Sequence, residues 1–245
     1  MIPRSMLCGA VAFAALVFSG CGNAHGRPGP DSERIDPDKI LDFGILYGQN
    51  CAGCHGPDGK GSAAIALADP VYLAIATDET LRRAATDGIA GTSMPAFAKS
   101  AGGMLTDEQI NVIVAGIRSR WARPDALQGA NPPPYSSAEP GDASAGLVAY
   151  AKYCSSCHGP GGRGGQKASS IVDGSFLALL TDQELRTIVI VGRPELGAPD
   201  WRGNAPGSPM SPEDISNVVA WLASQRPKFP GQPYPNRVPP TGETR

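Results

Sequence analysis

The sequence predicts an all-α protein of two consecutive helical domains, about three helices each, joined by a proline-rich linker. The pentapeptide Cys-x-x-Cys-His occurs twice, at residues 51–55 and 154–158. The residues around the two copies repeat each other at an offset that drifts only from 103 to 105. Several segments have the apolar spacing of helices, and none alternates convincingly as a strand would.

The internal repeat defines the expected domains. Tyr47 and Tyr150 each precede the first cysteine of their pentapeptide by four residues, and Gly88 corresponds to Gly192. Between the copies, the run Asn-Pro-Pro-Pro-Tyr at 131–135 favours a stiff, extended backbone. We therefore expect a signal peptide over 1–20, a tether over 21–35, a first domain over 36–124, a linker over 125–141, a second domain over 142–228 and a proline-rich tail over 229–245.

The first helix of each unit is expected over residues 39–49 and 144–153, leading into the pentapeptide. The second helix begins at Thr77 or Thr181 and ends at Gly88 or Gly192, because a left-handed cap favours glycine. The third begins at Thr106 or Ser211, each a residue type that caps helix N-termini. Gly116 stands where the second copy has Trp221, so we expect Trp121 to fill that space in the first domain.

The N-terminal segment has the composition of an export signal. Arg4 precedes an apolar run over 6–18 that is too short to span a bilayer as a helix. The residues Phe-Ser-Gly-Cys at 18–21 resemble a bacterial lipoprotein box, in which Cys21 carries the lipid and begins the mature chain. Ordinary cleavage after Ala24 is the alternative and would remove Cys21. Both readings predict a periplasmic or extracytoplasmic protein, and the first predicts membrane anchoring through lipid.

Composition narrows the possible functions. The formal net charge of −2 provides no basic surface for nucleic acid, which we exclude as a partner. With 31 glycines, 24 prolines and 6% aromatic residues, the chain is expected to contain long irregular loops. Domains of fewer than about 100 residues bury little core by themselves. A bound apolar group would supply part of that core.

Each pentapeptide has the pattern of a c-type haem attachment site. Two thiols three positions apart can form thioether bonds to the haem vinyl groups, and the adjacent imidazole can then reach the iron. We predict two covalently attached haem c groups. The expected haem-binding residues are Cys51, Cys54, His55, Cys154, Cys157 and His158, the two histidines being the proximal iron ligands.

Other uses of the cysteines are weaker. Four of the six cysteines lie inside the pentapeptides, and Cys8 and Cys21 lie in the leader, so no pair remains for a structural disulfide. A thioredoxin-like redox pair lacks a βαβ pattern around it. A four-cysteine zinc site remains an alternative, although it leaves the two adjoining histidines unexplained.

Each half resembles a class I cytochrome c domain. The resemblance depends on the pentapeptides, each followed by Gly-Pro, and on Met94-Pro95, and it covers the chain between tether and tail. It implies that the first and last helices of each domain cross. It also implies that a methionine in the loop before the last helix binds the far side of the iron.

The sixth ligands are expected to differ between the halves. Ligation of both haems by two histidines is excluded, because the third histidine, His25, lies in the tether. In the first half we assign Met94, while Met104 is expected to pack in the core. In the second half the position of Met94 is Ala198, which leaves Met210 as a tentative ligand. The alternative is that Met210 is a core residue and the second iron is five-coordinate or water-ligated.

The resemblance implies a dihaem carrier of single electrons, with no catalytic residue. Its donor would be a membrane or periplasmic redox protein, and its acceptor an oxidase, a reductase or a photosynthetic centre. One alternative is a peroxidase-like or ligand-binding protein that uses an open second haem, with Asp200 or Glu195 as a general base. Another is a non-catalytic haem subunit of a respiratory complex, docked through the tail.

Overall fold

The computed structural model describes residues 35–61 and 63–227. The signal peptide, the lipidation site Cys21, nearly all of the tether and the tail therefore lie outside the described residues. Two compact units are distinguished, Met1–Lys39 and Ile40–Arg245. In the first, the described part is a short 3₁₀ turn at Pro37–Lys39. The second contains both repeats.

The two repeats fold into the same succession of five α-helices. In the first they are α1 (Phe43–Asn50), α2 (Ala52–His55), α3 (Pro70–Ile75), α4 (Asp78–Asp87) and α5 (Asp107–Trp121). In the second they are α6 (Ala143–Tyr153), α7 (Ser155–His158), α8 (Gly174–Ala178), α9 (Asp182–Val191) and α10 (Pro212–Ser224). Over the described ranges the extended pairing consists of two isolated bridges. The all-α prediction is confirmed, with two short helices per domain beyond the three long ones expected.

Local capping explains where the long helices begin. Thr181 caps its helix in a capping box with Glu184, and Thr106 forms another with Gln109. The first helix begins at Phe43 and not at residue 39, because the Asp42 side chain accepts the Ile45 N–H at 2.8 Å. A side chain at Asp42 thus separates α1 from the preceding turn.

The first and last helices of each domain cross, as the resemblance implied. At the second crossing α6 approaches α10 so closely that a Cβ on Gly146 would lie 2.0 Å from the Asn217 carbonyl oxygen. Trp221 of α10 packs on Tyr150 of α6 with ring centroids 4.3 Å apart. Ile215 and Val218, on α10, are almost fully buried. This crossing forms the core beside the second pentapeptide.

At the first crossing the glycine lies on the last helix and the aromatic ring on the first helix, the reverse of the second crossing. There a Cβ on Gly116 of α5 would lie 1.9 Å from the ring of Phe43 in α1. The prediction that Trp121 fills the space at Gly116 is therefore wrong: Phe43 fills it. Trp121 packs instead over Gly59, as Trp221 packs over Gly162 in the second domain.

In each domain an arginine near the end of the last helix donates to the same set of acceptors, but the two arginines stand at different positions in the repeat. Arg118 donates to the carbonyls of Leu73 and Ala76 and to Asp78. In the second domain Arg226 makes the same contacts, to the carbonyls of Leu177 and Leu180 and to Asp182. The acceptors correspond at an offset of 104 residues, but the arginines are 108 residues apart. The position equivalent to Arg226 is Trp121, so the arginine stands at a different position along the last helix in each domain.

The linker is attached to the second domain by hydrogen bonds. Arg186 is only 3% exposed and donates to the carbonyls of Pro134 and Tyr135 and to Ser216. Arg202 donates to the Leu127 carbonyl at 3.0 Å. The chain between the repeats therefore has defined contacts along its length.

Candidate haem sites

Each pentapeptide forms a short helix directly after the first helix of its domain. The Tyr47 hydroxyl donates to the Gly56 carbonyl at 2.8 Å, and Tyr150 makes the same bond to Gly159. The glycine following each histidine has a positive φ, 81° at Gly56 and 72° at Gly159. Only glycine adopts this conformation without strain, so the chain can turn sharply there. The tyrosine connects the first helix to this turn.

Both histidines are oriented by a backbone carbonyl. The Nδ1 atom of His55 lies 2.8 Å from the Ile65 carbonyl oxygen, and that of His158 lies 2.9 Å from the Ser169 carbonyl oxygen. A carbonyl oxygen can only accept, so Nδ1 carries the proton in each case and the Nε2 lone pair remains available. Burial lowers the pKa of His55, although the hydrogen bond to Ile65 opposes this effect. The lowered pKa favours the neutral imidazole, which is the form that binds metals.

None of the four pentapeptide cysteines forms a disulfide. Burial, reinforced by Cys54, raises the pKa of Cys51 to about 11. Burial and Cys157 do the same for Cys154. Two thiols on one helical turn beside an available imidazole nitrogen fit covalent haem attachment.

Zinc fits less well. A zinc site needs about four nitrogen or sulfur donors around one point. The described part of the chain contains no group of three or more histidine, cysteine or acidic residues close enough to hold a metal ion. The two pentapeptides thus do not combine into one four-cysteine site.

Met94 lies in the loop between α4 and α5. The Ile89 N–H donates to the Met94 carbonyl at 3.0 Å, and the Met94 N–H donates to the Thr92 hydroxyl at 3.1 Å. This loop passes directly against Gly88, which has a φ of 69°. A Cβ at Gly88 would lie 2.7 Å from the Met94 carbonyl oxygen, so only glycine leaves room for the loop. The expectation that Met104 packs in the core is wrong, because it is 78% exposed.

In the second domain the corresponding loop has Ala198. Met210, the tentative ligand, is 2% exposed and lies directly before the N-cap residue of α10. Asn204 Nδ2 lies 3.6 Å from its sulfur. Asn204 was not predicted as a site residue from the sequence. Tyr47 and Tyr150 were predicted only as part of the repeat, although their fixed spacing from the cysteines was a usable signal.

Comparison with known proteins gives one family. The model described as cytochrome c oxidase, cbb3-type, subunit III, matches residues 40–115 and 141–222, one match around each pentapeptide. The subunit CcoP of the cbb3-type cytochrome c oxidase of Rubrivivax gelatinosus is 30% identical over 194 residues, which are 77% of this chain and 55% of that protein. The subunit FixP of Bradyrhizobium diazoefficiens is 29% identical over 189 residues, 73% of this chain and 58% of that protein. The chain thus spans just over half the length of these relatives.

A solved structure, the reducing HAO-like protein complex of Kuenenia stuttgartiensis, aligns with a TM-score of 0.41 at 18% identity. The alignment covers 79% of this chain and all of that one. No helix in the described ranges is both long and apolar enough to cross a membrane.

Proposed function

The chain belongs to the family of cbb3-type cytochrome c oxidase subunit III, and on that premise we propose that it carries single electrons between a membrane or periplasmic donor and an oxidase. It is a dihaem c-type cytochrome with two covalently attached haem c groups. The observation that carries the proposal is the duplicated pentapeptide geometry, in which each histidine Nδ1 is held by a carbonyl at 2.8 or 2.9 Å.

We assign the residues of each site as follows. The thioether anchors are Cys51, Cys54, Cys154 and Cys157, the proximal iron ligands are His55 and His158, and the distal ligand of the first haem is Met94. Bound haem c supplies a reversible one-electron iron couple at each site. The carbonyls of Ile65 and Ser169 orient the imidazoles and make Nε2 a stronger donor. The soft Met94 thioether favours Fe(II) and raises the reduction potential of the first site.

We further propose that residues 36–124 and 142–228 each hold one haem, and that the partners are redox proteins. The helix α3 of the first domain lies against α9 of the second, and the linker is attached to the second domain. Both features support a fixed separation of the two haems. We propose a periplasmic or extracytoplasmic location with a lipid on Cys21, which the sequence motif supports.

Haem content tests the first part of the proposal. Denaturing the holoprotein in acidified acetone should leave the pigment on the polypeptide, and the mass should include two haems. A Cys154→Ser/Cys157→Ser variant should retain one haem, on the first domain, and a Cys51→Ser/Cys54→Ser variant should retain one on the second. Loss of pigment from the native protein would refute covalent attachment.

Electron transfer tests the second part. A potentiometric titration should show two one-electron transitions, and the reduced protein should reduce a small soluble c-type cytochrome in stopped-flow mixing. The same preparation should not turn over hydrogen peroxide with an added electron donor. Sustained peroxide turnover would favour the enzymatic alternative over a carrier.

A further inference from the structure

The second domain has no sulfur donor at the place that Met94 occupies in the first. The Ala198 carbonyl accepts the Arg193 N–H at 3.0 Å, just as the Met94 carbonyl accepts the Ile89 N–H at 3.0 Å. A Cβ on Gly192 would lie 2.7 Å from the Ala198 carbonyl oxygen, and the first domain shows the same 2.7 Å between Gly88 and Met94. The two loops therefore share these two backbone contacts, and an alanine stands at the position of Met94.

Met210 does not occupy an equivalent ligand position, because it takes the place of Leu105. The Met210 N–H donates to the Trp201 carbonyl at 3.0 Å, and the Leu105 N–H donates to the Phe97 carbonyl at 2.7 Å. Each residue directly precedes the N-cap of the last helix and is nearly inaccessible, Met210 at 2% and Leu105 at 6% exposure. Met210 thus does the packing that a leucine does in the first domain.

The Met210 sulfur also has a polar partner. Asn204 Nδ2 lies 3.6 Å from it and donates to the Asp200 carbonyl at 3.2 Å. Arg202 pairs with the Asp200 carboxylate and donates to the Leu127 carbonyl, so segment 200–204 is held in place. The Met210 sulfur is thus buried and contacts this amide at the position that Leu105 occupies in the first domain. The chain has no further methionine beyond residues 1, 6, 94 and 104.

We propose that the iron of the second haem keeps an open coordination position that binds small neutral π-acceptor molecules, while Met94 closes the first. The inference rests on the proposed function only in taking His158 as the proximal ligand. Reduced iron with a vacant axial position binds neutral diatomic molecules readily, whereas a bound thioether must first be displaced. The two domains would then differ in function: the first only carries electrons, and the second also binds a ligand.

Carbon monoxide is the probe. The dithionite-reduced full-length holoprotein is titrated with carbon monoxide, and the Soret change is compared with the haem content. We expect one carbon monoxide per two haems. Ala198→Met should abolish this binding by supplying the missing thioether, and Met94→Ala should raise the stoichiometry to two per protein.

Met210→Leu is the matched control, since it restores the residue found in the first domain. We expect it to leave the stoichiometry and the spectrum of the oxidised protein unchanged. The long-wavelength sulfur-to-iron band should have one-haem intensity and vanish in Met94→Ala. Should Ala198→Met fail to fold, Met94→Ala and Met210→Leu still decide the matter.

Three results would overturn the inference. They are no carbon monoxide binding by the native protein, two carbon monoxide molecules bound by it, or a Met210→Leu variant that loses sulfur-to-iron absorption. The potentiometric titration without carbon monoxide is independent of these outcomes. Two reversible transitions there would preserve the carrier function even if the second iron proves closed, and their absence would remove the carrier function alone.

Discussion

Gly116→Ala should disrupt the crossing of α1 and α5. The new Cβ would lie 1.9 Å from Phe43 Cδ2, where carbon atoms need about 3.5 Å. The Phe43 ring cannot easily turn aside, because it stacks on Tyr47 at 5.4 Å and meets the Trp121 ring edge-on at 5.8 Å. Overpacking of this kind costs about 3 kcal/mol. The better helix propensity of alanine returns about 1 kcal/mol, so the net loss is about 2 kcal/mol.

A double-mutant cycle isolates the clash. Phe43→Ala alone should cost about 2–3 kcal/mol, less than for a fully buried phenylalanine because the ring is partly exposed. With the ring absent, adding Gly116→Ala should cost nothing further, which gives a coupling of about 2–3 kcal/mol. Gly48→Ala is the matched control, since a Cβ on this α1 glycine has no heavy atom within 4 Å.

The assay is urea unfolding of the holoprotein, followed by far-ultraviolet circular dichroism and by the haem Soret band. We expect the urea midpoint to fall in Gly116→Ala and to stay or rise in Gly48→Ala. The free energies of unfolding of Phe43→Ala and the double variant should agree within about 1 kcal/mol. Additive single effects would refute the reasoning. So would a Gly116→Ala variant as stable as Gly48→Ala.

Two further substitutions test the helix ends by the same urea assay. Arg226→Met should cost about 2–4 kcal/mol, because two partly buried carbonyls lose a charged donor. Arg83→Met is the control and should cost less than about 0.5 kcal/mol, because it removes only a surface ion pair of 3.8 Å. Equal losses in the two variants would contradict this. Asp69→Ala should cost about 1 kcal/mol, because the carboxylate caps α3 through the Val71 and Tyr72 N–H groups, and Asp69→Asn should keep the cap. Burial, opposed by those two N–H groups, raises the pKa of Asp69, so ionising this carboxyl is less favourable in the native than in the unfolded state. Native stability relative to Asp69→Asn should therefore fall as the pH rises above the ordinary carboxyl range, and an opposite slope would refute this.

Features that depend on neighbours in the sequence were predicted well. Thr106 and Thr181 cap helices with partners three residues away, and both capping boxes are present. The short helices α3 and α8 were missed, because five or six residues are too few to show a helical period. The capping aspartates before them, Asp69 and Asp173, were the available signal.

The sequence by itself determined the all-α class, the duplication and the cofactor chemistry, because a pentapeptide and a helix cap are local patterns. Only the tertiary structure decided which side chain fills a given space. Counting along the repeat pairs Gly116 with Trp221, yet Phe43 fills the space at Gly116 and Trp121 does the packing of Trp221. The tertiary structure likewise places Met210 where the first domain has Leu105. The reason is that packing depends on residues distant in the chain, and an insertion or exchange on one helix changes what its partner must supply.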